Sequence, residues 1–109
     1  MKKEHCEHCK EIVNTMYQYY NGEILNDENE SLTLWDYFSD CLDIDYLIGS
    51  DKKTVKGVRI LVAFGGPNIY VDTMQGKVTL YWWNEYGEAW LPSELCQEID
   101  YMFEEIFYC

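Results

Sequence analysis

The period of the apolar positions changes several times along the chain, and each change marks an element. Cys6, Cys9, Val13, Met16 and Tyr20 recur at spacings of three and four, with Ile12 and Tyr17 beside them. That spacing predicts an amphipathic helix, which Asn21-Gly22 stops. Asn26 to Glu30 is a polar, acidic connector. Ser31 is suited to cap a second helix, in which Leu34, Phe38, Cys41 and Leu42 form the buried stripe and Trp35 flanks it. Asp43 to Ile48 alternates, with Ile44, Tyr46 and Ile48 against Asp43, Asp45 and Leu47, and so predicts a strand. Gly49 to Lys56 is a polar loop.

Val58 to Phe64 is nearly continuous apolar and β-branched, the pattern of a central strand covered on both faces. Gly65-Gly66-Pro67-Asn68 is a strong turn signal, after which Ile69 to Asp72 resumes the strand. Gln75-Gly76 turns again, and Val78 to Trp83 is a third consecutive strand. Asn84 to Gly87 reads as one more turn, with Glu88 to Leu91 a short edge strand beyond it. Pro92-Ser93 opens a last helix with Leu95, Ile99, Met102 and Ile106 on one side, Phe103 beside them, and Glu94, Glu98, Glu104 and Glu105 opposite. The order of elements predicts one α+β domain over residues 1–109: an antiparallel meander of three to four strands, with two N-terminal helices and one C-terminal helix packed on it.

Composition supports a folded domain. The 109 residues are 48% hydrophobic and 17% aromatic, which disordered chains are not. No run approaches the 18 or so apolar residues that a bilayer span requires. Met1 to His5 leads into a polar stretch, so an export signal is not expected and the five cysteines read as reduced thiols of a cytoplasmic protein.

Charge changes the picture more than composition does. The net charge is −12, and it is segregated. From Glu11 to Asp51 there are ten acids and no Lys or Arg; from Val78 to Cys109 there are seven and again no base. Lys52 to Lys77 holds five bases against the single acid Asp72. Such a chain repels anionic lipid and phosphate backbones, so neither a membrane nor direct nucleic acid is an expected partner. Asp36, Asp40 and Asp43, with Asp45 beyond, would line one side of the second helix, and Glu94, Glu98, Glu104 and Glu105 one side of the last. Four helical residues advance about 6 Å, whereas a DNA strand carries a phosphate about every 3.4 Å. One stripe is too sparse to copy a strand, but two stripes and the acidic connector approach its charge density over a short footprint. The expected partner is then a protein with a basic surface. A solvated face serving solubility is the plain alternative.

Other motifs carry less. His5-Cys6-Glu7-His8-Cys9 has Cys-x-x-Cys and His-x-x-His spacing, which suits zinc, yet only the single cysteines Cys41, Cys96 and Cys109 follow in place of a second ligand pair. The competing reading makes Cys6 and Cys9 the start of the first helix's buried stripe. A redox role is weaker, because the pair does not follow a strand. Gly65-Gly66 leads into a strand rather than a helix, so it is a hairpin connection and not a phosphate cradle. Trp83, Tyr86 and Trp90 are candidate hydrophobic anchors for a protein interface, including a homodimer. Both histidines sit within the first eight residues, so no Ser-His-Asp or Cys-His-Asn set can be assembled and no enzyme is expected.

The string Val58 to Thr73 (Val-Arg-Ile-Leu-Val-Ala-Phe-Gly-Gly-Pro-Asn-Ile-Tyr-Val-Asp-Thr), with Tyr81-Trp82-Trp83 and the acidic stretch Glu98 to Glu105, resembles small uncharacterised acidic proteins of bacterial phages and conjugative elements. The resemblance covers about the C-terminal half and transfers no site residues. It implies a context in which small acidic proteins include inhibitors of restriction and CRISPR nucleases, many of them nucleic-acid mimics. Three readings stand: a non-enzymatic acidic binding protein that inhibits a host DNA- or RNA-handling protein without cofactor; a small metal-binding or regulatory domain using the N-terminal His/Cys cluster; or an assembly protein using exposed aromatics.

Overall fold

The nearly continuous apolar run becomes the second strand of a five-stranded sheet. In the computed structural model, which describes residues 1–108, the strands are β1 (Asp43–Ile48), β2 (Val55–Ala63), β3 (Asn68–Asp72), β4 (Lys77–Trp82) and β5 (Glu85–Trp90). They lie in sequence order and every neighbouring pair is antiparallel, as short connections require. The helices are α1 (Lys3–Tyr20), a single turn α2 (Leu34–Tyr37) and α3 (Ser93–Tyr108). The architecture is α+β with helices at both ends of the meander. The register puts Ile44, Ile60, Val71, Val78 and Ala89 in one cross-strand row on the inner face. Cys9, Val13 and Met16 of α1, Leu34 and Phe38, and Leu95, Ile99, Met102 and Phe103 of α3 pack against that face as one buried core.

Both long helices are stopped or started by local chemistry. At the end of α1, Gly22 takes φ +73°, and its N–H donates to the Tyr19 carbonyl while the Glu23 N–H donates to that of Gln18. This left-handed cap satisfies two terminal carbonyls. α3 begins directly after Pro92, with the Leu95 and Cys96 N–H groups donating to its carbonyl.

Four expectations need correction. The sheet has five strands rather than three or four, because β1 and β5 both pair along their full lengths. The second helix is one turn: Thr33 rather than Ser31 caps it through Asp36, and the chain is then drawn into the sheet when the Leu42 N–H bonds the Leu61 carbonyl. Leu42 is accordingly exposed. β4 ends at Trp82, and Trp83-Asn84 is the turn, with Trp83 at φ +56°; the expected turn residues Glu85 to Gly87 belong to β5. β2 is covered by helices on one face only among the described residues, and Arg59 and Leu61 on its other face are half-buried beside their strand neighbours.

Gly87 fixes how closely α1 approaches β5. A β-carbon at this position would lie 2.4 Å from the His5 Cβ, 2.5 Å from the His5 carbonyl carbon and 2.7 Å from the Cys6 nitrogen. Backbone cannot yield as a flexible side chain does, so Gly87→Ala must lift the first turn of α1. We expect a loss of about 1–3 kcal/mol in chemical denaturation. Gly66→Ala meets only Trp82 at 3.6 Å and should stay within about 0.5 kcal/mol of the parent. Equal losses for the two variants would overturn this account of the α1–β5 contact.

Candidate functional site

The topology gathers the acids unevenly. α3 runs against α1 so that Glu94 and Glu98 lie beside the C-terminal end of α1: the Tyr17 hydroxyl donates to Glu94, and Glu98 shares a groove with Tyr19 and Tyr20. The connector after α1 folds back at the same end. Its Leu32 N–H donates to Ile24, the Ser31 hydroxyl donates to the Gly22 carbonyl, and the Asn26 side chain accepts from the Glu28 and Glu30 N–H groups. Glu23, Asp27, Glu28 and Glu30 are all exposed there. Asp36 sits on the adjoining turn α2, exposed, although its carboxylate also accepts from the Thr33 N–H at 2.7 Å.

The remaining predicted acids lie elsewhere. Because α2 is one turn, Asp36, Asp40 and Asp43 do not form a helical stripe. Asp40 lines a separate groove with His8 and Cys41. Asp43 and Asp45 project from β1 on the outer face of the sheet, opposite Leu61 and Arg59. Glu104 and Glu105 lie toward the far end of α3, where the Tyr108 hydroxyl donates to the Lys53 carbonyl of the basic β1–β2 loop. Of the expected stripes, Glu98 lines the groove at this end, Glu94 is held beside α1 by Tyr17, and Asp36 follows the groove residue Trp35, while the connector adds exposed acids on the segment that folds back after α1. The acidity of the connector was visible in sequence, but its position was not.

Ion pairing leaves this end of the molecule uncompensated. Among the described residues the ion pairs are Lys2–Glu85 (3.0 Å), His5–Glu85 (2.8 Å) and Lys77–Glu88 (2.7 Å), so every one falls on β5. The last turn of α1 carries no base, although the aligned peptide dipoles place partial negative charge there.

The His/Cys cluster points in several directions. His5 is engaged by Glu85, whose carboxyl is held below its ordinary range by the His5 and Lys2 hydrogen bonds. Cys6 lines a cleft between α1 and β5, His8 is exposed on another side, and Cys9 lies wholly in the core, where burial pushes its thiol up to about 11. A thiol pushed upward is a poor thiolate ligand or nucleophile. No three His, Cys, Asp or Glu groups among the described residues are arranged to hold a metal ion. Cys109 lies outside the described residues.

The aromatic candidates also separate. Trp83 is at the β4–β5 turn and 88% exposed; Trp90 is on the outer face and 75% exposed, with the Lys77 ammonium 5.4 Å from its ring centroid. Tyr86 is half-buried in an outer-face series, its ring 5.0 Å from that of Tyr81, which lies 6.1 Å from Tyr70. No helix among the described residues is long and apolar enough to cross a membrane.

Comparison of the chain with family models, with curated proteins and with solved structures finds no match.

Asp100 on α3 is half-buried. Burial raises the Asp100 carboxyl above its usual range and Glu104 adds to the rise, while the Thr73 hydroxyl, donating at 2.7 Å, opposes it. The folded state therefore binds this proton more tightly than the unfolded chain, and its stabilising contribution is lost as pH rises through the folded-state value. Asp100→Asn retains an acceptor for Thr73 without the desolvated charge. It should raise the melting temperature at pH 7 more than Glu105→Gln does, and the advantage should vanish near pH 3. Equal gains for the two variants at pH 7 would show that general charge relief is the whole effect.

Proposed function

We propose that this chain is a non-enzymatic acidic binding protein that occupies the basic, nucleic-acid-handling surface of a host protein, in the manner of an anti-restriction or anti-CRISPR inhibitor. The observation that carries this reading is that Glu94, Glu98, Asp36 and the acids of the connector take part in none of the ion pairs among the described residues, with Glu94 and Glu98 beside the base-free last turn of α1. Carboxylates contributed by a loop, a helical turn and α3 together supply more charge than one helical stripe, which would help them stand in for phosphates. The resemblance of the C-terminal half to small acidic proteins of phages and conjugative elements points the same way. Charge on this scale steers association with a basic groove and makes the complex salt-sensitive.

A second reading rests on the exposure of Trp83 and Trp90: an assembly protein that associates through aromatic anchors. A solution mass measurement separates the two, since a homodimer lost in Trp83→Ala would favour assembly.

The primary test is displacement. Labelled duplex DNA bound to restriction and CRISPR nucleases should be released by the protein at about 50 mM salt and retained at about 300 mM. A Glu94→Gln, Glu98→Gln, Asp36→Asn triple variant should compete at least roughly tenfold more weakly, which corresponds to about 1.4 kcal/mol. No displacement from any of these nucleases at low salt would overturn the proposal.

A further inference from the structure

The acidic end contains a groove of about 290 Å³ in which three aromatic residues, Tyr19, Tyr20 and Trp35, share the lining with Glu98, Met102 and residues of the connector. Each ring is held from behind. Tyr20 packs edge-on to Tyr17 at 6.3 Å, Tyr19 edge-on to Tyr37 at 5.3 Å, and Trp35 lies 6.5 Å from Phe103 at a 40° tilt. Tyr17 is held in turn by Glu94, and Phe103 is in the core. These contacts restrict the rings, and each restriction lowers the entropy lost on binding.

Three independent features of this groove favour a cation. The faces of Tyr and Trp rings carry negative quadrupole potential. Glu98 supplies a carboxylate on the groove wall. The groove also lies at the C-terminal end of α1, whose last turn carries no base to complement the helix dipole. No Lys or Arg lines it, and none of the ion pairs among the described residues reaches it. An apolar side chain would leave Glu98 without a counter-charge. A guanidinium is planar, weakly hydrated, stacks on aromatic faces and forks onto a carboxylate, so it matches the lining better than the compact, strongly hydrated ammonium of lysine.

We infer that this groove is an arginine-side-chain site: one Arg of the basic partner inserts between Tyr20 and Trp35 and pairs with Glu98, while the surrounding acids meet the partner's other bases. The inference rests on the proposed function for its occupant and names the point at which that occupant is gripped. The surrounding carboxylates give on-rate and salt sensitivity, and the groove gives specificity for arginine.

The probe is N-acetyl-arginine-amide, a small monocation, titrated into the full chain while the indole N–H signals of the four tryptophans are followed by NMR. The Trp35 signal should move and saturate, with those of Trp83 and Trp90 still. N-acetyl-lysine-amide should bind roughly threefold or more weakly. Glu98→Gln, an exposed position that leaves the fold intact, should weaken the arginine probe by roughly three- to tenfold; Tyr20→Leu should do the same. A silent Trp35, equal drift of all the indoles, or no loss in both variants overturns the inference. Displacement of DNA from nucleases together with a silent groove sinks this inference alone. A groove that titrates in a protein that displaces nothing sinks the broader reading and leaves the arginine site standing.

Discussion

Two helices from opposite ends of the chain have to share one apolar sheet face, and the rest of the molecule is arranged around that demand. The row from Ile44 through Ile60, Val71 and Val78 to Ala89 spans the whole width of the sheet, wider than one helix covers. α1 lies over β4 and β5, reaching backbone contact at Gly87, while α3 lies over the first strands, with the Tyr46 hydroxyl donating to the Phe103 carbonyl. Where the two helices meet, the C-terminal end of α1 comes beside the first turns of α3. Tyr17, Tyr19 and Tyr20 therefore face Glu94 and Glu98. The acidic, aromatic groove is a by-product of covering the sheet with these two helices in this order.

The other face of the sheet carries polar and charged residues, of which Asp72 and Thr79 are buried. One cross-strand row there reads Asp45, Arg59, Asp72, Lys77 and Trp90, alternating in sign until the last strand. The Arg59 guanidinium sits 3.7 Å from the centroid of the Tyr70 ring, and Lys77 pairs with Glu88. The bases that the sequence concentrates between residues 52 and 77 thus balance the outer face and the β1–β2 loop. Asp43 and Asp45 on the edge strand β1 discourage another strand from pairing with it. Charge of both signs is used where the sheet is bare, and charge of one sign where the helices meet.

Periodicity made most of the fold legible and failed where tertiary contact outweighed local pattern. α1, α3 and the strands β1, β3 and β4 follow their apolar spacings because each turns one face to the core, whereas β2 begins at Val55, inside the expected polar loop, and its continuous apolar run is covered on one face only. Gly87 looked like part of a turn, since glycine is a common breaker; its place inside β5 is understood only from the helix backbone lying above it. Trp83 in a left-handed turn has no sequence cue at all, because a bulky residue is disfavoured there and alternation alone would keep it in the strand. Asp36, Asp40 and Asp43 mimic a helical stripe, yet Asp43 opens a strand whose alternation begins at Ile44, and strand pairing won. For the candidate site, the acids of α3 and the connector were visible as charge. The aromatic walls were not, because Tyr20 and Trp35 come from elements whose contact the spacing does not encode.

The unpaired acids of the α1–α3 end carry a cost that the fold has no internal way to offset. Burying apolar surface stabilises the core irrespective of these charges, so the repulsion is tolerated, but it remains as free energy available to a partner that brings positive charge. The three ion pairs among the described residues sit on β5, where those of Lys2 and His5 strap the N-terminus to the sheet, the Lys2 N–H also donating to the Tyr86 carbonyl, and that of Lys77 ties β4 to β5. None is spent at the other end. If the acids served solubility alone, dispersal over the surface would serve equally well with less repulsion. Under the proposed function, their position around the aromatic groove and a helix end of the same sign is where a cationic surface would meet them.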